Sequence, residues 1–169
     1  MGTKNSMMQL PRPHRTRLVY NGSLHANRKG RLTVELNNVD DIRAFFAKDE
    51  FATKCLSATV DDYDFETGTA TVSMKIDDRH HNAQGFVMGG VFFTLADFAL
   101  AVACNVNRPP CSSVNSSISF MRRVKGDVLK AVAYPDKLGR NLSFFTIDLF
   151  DETDRLVARV GATVMTTNY

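Results

Sequence analysis

The chain has 169 residues, enough for one domain with its own core. Its 44% hydrophobic and 23% charged residues are ordinary for a globular protein and argue against a disordered chain. The net charge of +3 is uneven: residues 1–39 hold seven basic side chains against the single acid Glu35, which leaves the other 130 residues at −3.

Residues 1–38 mix Pro11, Pro13, Gly22 and Gly30 with Asn, Ser and Arg. They read as a basic, partly irregular extension ahead of a folded domain at 39–169. The extension lacks the apolar stretch of a secretory signal. It also lacks aromatic interleaving and periodicity, so it reads as a solvated arm, and no nucleic-acid partner is expected. Within it, RLTVEL at 31–36 alternates and suggests one short strand.

Then VDDIRAFFAKDEFA places Ile42, Phe45 and Phe46 on one helical face, with Asp40 and Asp41 in the first turn. The helix dipole favours acids there. Two strands are predicted next, at 54–61 and at 67–76, where Ala70, Val72, Met74 and Ile76 share a face. A polar loop, DDRHHNAQGFVMGG, leads into an apolar helix over 89–105, which Asn107–Pro110 stops. Four more strands are predicted at 112–122, 127–136, 141–151 and 155–166, separated by short turns that imply antiparallel neighbours. The apolar helix lacks a polar face, so it must be covered on every side by a wrapping sheet, a second subunit or both. The architecture expected is α+β, an antiparallel sheet wrapped around a long central helix.

That helix carries one carboxylate, Asp97, in the run VFFTLADFALAVAC. An ionised group in apolar surroundings is costly unless paired or wet. It is either a structural acid, paired with Arg122 or Arg123, or a functional one. The apolar run at 91–106 is interrupted by Thr94, Asp97 and Asn105 and is shorter than the roughly 20 residues of a membrane span. Cys55, Cys104 and Cys111 have neither metal-ligand spacing nor a nucleophile signature. Reduced thiols in a cytoplasmic protein, with no metal and no cofactor, are expected.

The run H-N-x-x-G-x-x-M-G-G-x-x-x-x-L-A-D, from His81 to Asp97, resembles the signature of hotdog-fold acyl-CoA thioesterases of the PaaI-like, phenylacetic-acid-degradation type. Those proteins read N-x-x-G-x-x-H-G-G-x-x-x-x-L-x-D, and Asn82, Gly85, Gly89, Gly90, Leu95 and Asp97 match. The likeness covers about residues 39–167. It implies the hotdog fold, an acyl-CoA substrate and a homodimer or homotetramer. By the resemblance Asp97 is general base or nucleophile, the Gly89 N–H is the oxyanion donor, and Ser113 is a polar helper beside the acid, with neighbouring Ser112 the alternative in registration. Asn82 either orients water or holds the loop. Gly85, Met88 and Gly90 fall beside the substrate. Met88 stands where the family has histidine, and a thioether cannot supply a strong hydrogen bond. His80 and His81 lie in the same loop but out of register with that position.

Thioester hydrolysis needs a polarised carbonyl, an oxyanion stabiliser and an activated water or nucleophile. A helix-opening glycine offers an unpaired N–H at the positive end of the dipole. Eight residues at 1.5 Å rise separate Gly89 from Asp97 by about 12 Å, too far for one acyl carbon to meet both. The expectation is therefore a site built from two chains. The competing reading is a module that binds acyl-CoA without hydrolysing it.

Overall fold

Asn38 starts the first helix. Its side-chain oxygen accepts the Asp41 N–H at 2.9 Å, and Asp40 and Asp41 occupy the first turn of α1 (Val39–Phe46). Ile42 and Phe46 face inward, and the Phe46 ring meets Phe98 edge-on at 6.2 Å. The computed structural model describes residues 24–26 and 32–167. The rest of the basic arm lies outside the described residues. Its short strand is found as β2 (Leu32–Val34), antiparallel to β1 (Leu24–Ala26). Leu36 is buried, and its backbone is clasped at both ends by the Asn107 side chain, at 2.9 and 2.8 Å.

The next strand starts later than its sequence suggests. Residues Phe51–Cys55 form a turn of π helix, and β3 (Thr59–Tyr63) follows. After β4 (Ala70–Lys75) and the loop comes α2 (Gly89–Asn105), then β5 (Cys111–Phe120), β6 (Val128–Lys137), β7 (Leu142–Asp151) and β8 (Leu156–Thr166). The six strands β3 to β8 form one antiparallel sheet in the order β3-β4-β6-β7-β8-β5. The sequence β4–α2–β5 therefore carries the chain from one side of the sheet to its far edge. This is the hotdog architecture, a sheet packed on a long helix.

Alternation decides which face of each strand meets α2. Ala70, Val72 and Met74 of β4 pair with Ala133, Ala131 and Leu129 of β6, and all six are buried. Alanines at the centre let the helix axis approach the sheet closely. Leu95, Ala99 and Val102 of α2 are fully enclosed against them. Deleting a side chain such as Leu95 costs about 3 kcal/mol.

The helix is not covered all round. Gly90, Phe93 and Asp97 are exposed, and Thr94 and Ala101 are half-buried. Spaced three, four and seven residues apart, they form one stripe along α2. Within the single chain the sheet therefore leaves one helix face bare, and Asp97 lies on it rather than in the core.

Candidate functional site

The loop before α2 is built on its own side chains. The Oδ1 of Asn82 accepts the N–H groups of Gln84 and Phe86 at 2.9 and 3.1 Å. Gly85 turns with φ of +76°, a conformation that favours glycine, and its N–H bonds to the Asn82 carbonyl. His80 is buried. Its Nδ1 accepts the Asp77 N–H at 2.9 Å, so its proton sits on Nε2, which is enclosed without a partner among the described residues. The His80 carbonyl accepts the Met88 N–H at 2.9 Å and so pins the residue that caps the helix.

Met88 is the N-cap of α2 but gives no side-chain cap. It is exposed, and its Cε lies over Gly90, 3.3 Å from where a β-carbon would stand. Gly89 opens the helix. A β-carbon there would come within 3.1 Å of the Phe120 ring, so glycine keeps this approach open. As a first-turn residue, Gly89 has no helical acceptor for its N–H.

Gly89 lines a cleft of about 520 Å³. Gly85, His81, Phe120, Arg122 and Arg123 share it. The guanidinium of Arg123 lies over the Phe86 ring, 3.7 Å from its centroid, and Arg122 Nη1 donates to the Leu156 carbonyl at 2.7 Å. Neither arginine is ion-paired among the described residues, so the rim of the cleft is positively charged.

Asp97 lies elsewhere. It lines a shallow depression with Phe93, Ala96, Leu100, Ser116, Ile147 and Val160, which shares no residue with the cleft. It has no hydrogen bond and no salt bridge among the described residues, so the pairing with Arg122 or Arg123 is absent. Although Asp97 is exposed, apolar walls strip water from one side of the carboxylate and push its pKa up, and the charge of Asp49 adds to the effect.

Ser113 sits opposite Val164, and Ser116 opposite Ala162. A bulge at Val114 puts both serines on the helix-facing side of β5, although they are three positions apart. It is Ser116 that shares the depression with Asp97. Period-two counting back from Ile118 and Phe120 reaches Ser116, which is the signal that was available in the sequence.

Residues 84–158 match the Thioesterase superfamily. Human acyl-coenzyme A thioesterase 13 is 32% identical over 96 residues, which cover 54% of this chain and 69% of that protein. The chain belongs to the thioesterase superfamily, among its PaaI-like hotdog members. Acyl-coenzyme A thioesterase PaaI of Escherichia coli is 28% identical over 113 residues, 62% of this chain and 81% of that protein. In three dimensions, zebra fish thioesterase superfamily member 2 superimposes with a TM-score of 0.69 at 24% identity, covering 78% of this chain and all of that one. As a member of this superfamily the protein is a thioester hydrolase. The described residues contain no helix long and apolar enough to cross a membrane.

The site thus comes in two parts. Gly85 and Gly89 share the cleft, and Asn82 holds the loop that frames it. Asp97 and Ser116 share the depression, with Ser113 on the same side of the strand. Met88 and Gly90 lie at the helix start and line neither space.

Proposed function

We propose that this protein hydrolyses an acyl-CoA thioester to the free acid and CoA, at a site assembled from two copies of the chain. The observation that carries the reading is Asp97, a carboxylate without a partner among the described residues, on the bare stripe of α2, about 12 Å along the helix from the Gly89 donor. A second chain laid along that stripe supplies the missing half. The edge of β5 favours this arrangement, since the strand is paired on one side only, by β8, and Val114 and Phe120 on it and Met121 just after it are exposed. The assembly is a homodimer, or a homotetramer built from such dimers, in the reducing cytoplasm.

In this mechanism the thioester oxygen accepts the Gly89 N–H of one chain, which stabilises the charge that develops as the carbonyl is attacked. The Asp97 carboxylate of the other chain removes a proton from water, or attacks the carbonyl carbon itself to give an anhydride that water then opens. The C–S bond breaks, and the CoA thiolate leaves and takes up a proton. Asn82 orients the water or holds the loop. Gly85 leaves room for the thioester in the cleft, Met88 and Gly90 at the helix start come beside it once the second chain closes the site, and Ser116, with Ser113 on the same side of β5, assists the acid. Arg122 and Arg123 on the rim, with no ion pair among the described residues, suit the phosphates of the CoA carrier.

The test is complementation. Asp97→Ala and Gly89→Pro are each expected to be inactive in releasing CoA thiol, and mixed dimers of the two recover activity, since one site then has both intact halves. No recovery in verified mixed dimers, or full activity of a monomer, overturns the two-chain site. Met88 in place of histidine favours a second reading, a module that binds acyl-CoA without turnover. Saturable binding with no thiol release by the wild type decides for it.

A further inference from the structure

Where α2 ends and β5 begins, two thiols meet. Cys104 is buried in the last turn of the helix, and Cys111, the first residue of β5, is half-buried. The Cys111 thiol is shared between the carbonyl of Cys104, 3.6 Å from its Sγ, and that of Pro109, at 3.4 Å. Asn105 holds the corner together. Its Oδ1 accepts the Cys111 N–H at 2.8 Å, and its Nδ2 donates to Cys104 Sγ at 3.1 Å and to the Ala101 carbonyl at 2.9 Å. None of these residues lines the cleft or the depression at Asp97.

We infer that Cys104 and Cys111 are a redox-active pair that closes to an intramolecular disulfide when the protein meets hydrogen peroxide. The reacting order follows from access. Burial, reinforced by the neighbouring thiol, pushes Cys104 up to about 12, so it is not the first nucleophile. Cys111 sulfur attacks the peroxide oxygen, the O–O bond breaks, and a sulfenic acid and one water result. Cys104 sulfur then displaces hydroxide from Cys111. The S–S bond forms, the S–O bond breaks, and the Cys104 proton leaves with the hydroxide as a second water. Two thiols lose two electrons, and one peroxide is reduced to two waters. The new bond ties the last turn of the helix that carries Asp97 to the strand that carries Ser113 and Ser116. Cys55, exposed on the π-helical turn, is a built-in reference thiol.

The experiment treats the reduced full-length chain with hydrogen peroxide, quenches with an alkylating agent and reads masses. The peptide holding residues 104–111 is expected to lose two hydrogens and regain them with dithiothreitol. Thiols that can be alkylated in denaturant drop by two, and the unfolding midpoint rises by about 5 °C. In Cys104→Ser, the sulfenic acid on Cys111 accumulates and is trapped by dimedone, which labels little of the wild type. A 104–111 peptide still at its reduced mass once Cys55 is oxidised overturns the inference. So does a wild-type peptide that gains oxygen on cysteine without losing two hydrogens.

Discussion

The guanidinium of Arg123 lies over the ring of Phe86, 3.7 Å from its centroid, and so joins the segment after β5 to the loop that carries Gly85 and leads to Gly89. The stacking fixes the plane of the cation and leaves its N–H edges to the cleft. If those edges hold the phosphates of CoA, Arg123→Ala raises KM about tenfold, in line with a lost charged hydrogen bond of roughly 1.5 kcal/mol, and leaves kcat near the wild-type value. The effect shrinks with added salt. Steady-state kinetics at two ionic strengths checks this, and an unchanged KM removes Arg123 from carrier binding.

Asp97 must be ionised to act as base or nucleophile. Its pKa is raised, first by desolvation and then by Asp49, so kcat falls on the acid side at a pH above the ordinary carboxylate range. Asp49→Asn removes the like charge and moves that limb to lower pH. The same shift has a sign for stability. The folded chain binds the Asp97 proton more tightly than the unfolded chain, so stability drops as pH rises through the window between the two pKa values. Asp97→Asn therefore loses activity by a factor on the order of 10²–10⁴ and gains a little stability at neutral pH. The gain stays below about 1 kcal/mol because water reaches one side of the group. Thermal melts at neutral and acid pH read the difference.

Asp151 behaves in the opposite way. Burial alone would raise its pKa, but hydrogen bonds from Arg155, Thr153 and the Lys125 backbone outweigh that and hold it well below the usual range. Its stabilising contribution is complete above the unfolded value of about 3.9 and is lost as pH falls toward the depressed folded one. Asp151→Ala leaves the turn after β7 with unsatisfied donors and costs about 2 kcal/mol, measured by denaturant unfolding at pH 7. Below the folded pKa the variant and the wild type converge.

Met88→His restores a polar side chain at the cap of α2, beside the Gly89 donor. We expect kcat to rise about tenfold with KM little changed, since a hydrogen bond formed in the transition state acts on the chemical step. A fall in kcat shows that the thioether packed on Gly90 is the better fit for this chain's substrate.

Much of the fold was legible because periodicity carries it. The alternation Ala70, Val72, Met74 gave β4, and the apolar run after the glycine pair gave α2 with its observed ends. The π-helical turn at 51–55 was not legible, because FATKC has neither a breaker nor a period. Nor was the bulge at Val114, a backbone event that moves Ser113 and Ser116 to one face. Asp97 stood out by its charge. Its exposure did not, since the bare stripe of α2 depends on how far the sheet curls. Asp49 was invisible as its neighbour, because tertiary contacts such as Phe46 against Phe98 bring the end of α1 beside the middle of α2.

The position of β5 governs how the chain can be made. It leaves the ribosome before β6, β7 and β8, yet its backbone partner is β8, with Cys111 opposite Thr166 and Phe120 opposite Ala158. At about 5–20 residues per second, a strand whose partner residues lie roughly 40 to 55 positions downstream waits for several seconds with both edges open. Four serines and an asparagine between Ser112 and Ser117 keep the waiting strand polar. Replacing them with β-branched apolar residues would suit the finished sheet and endanger the nascent one.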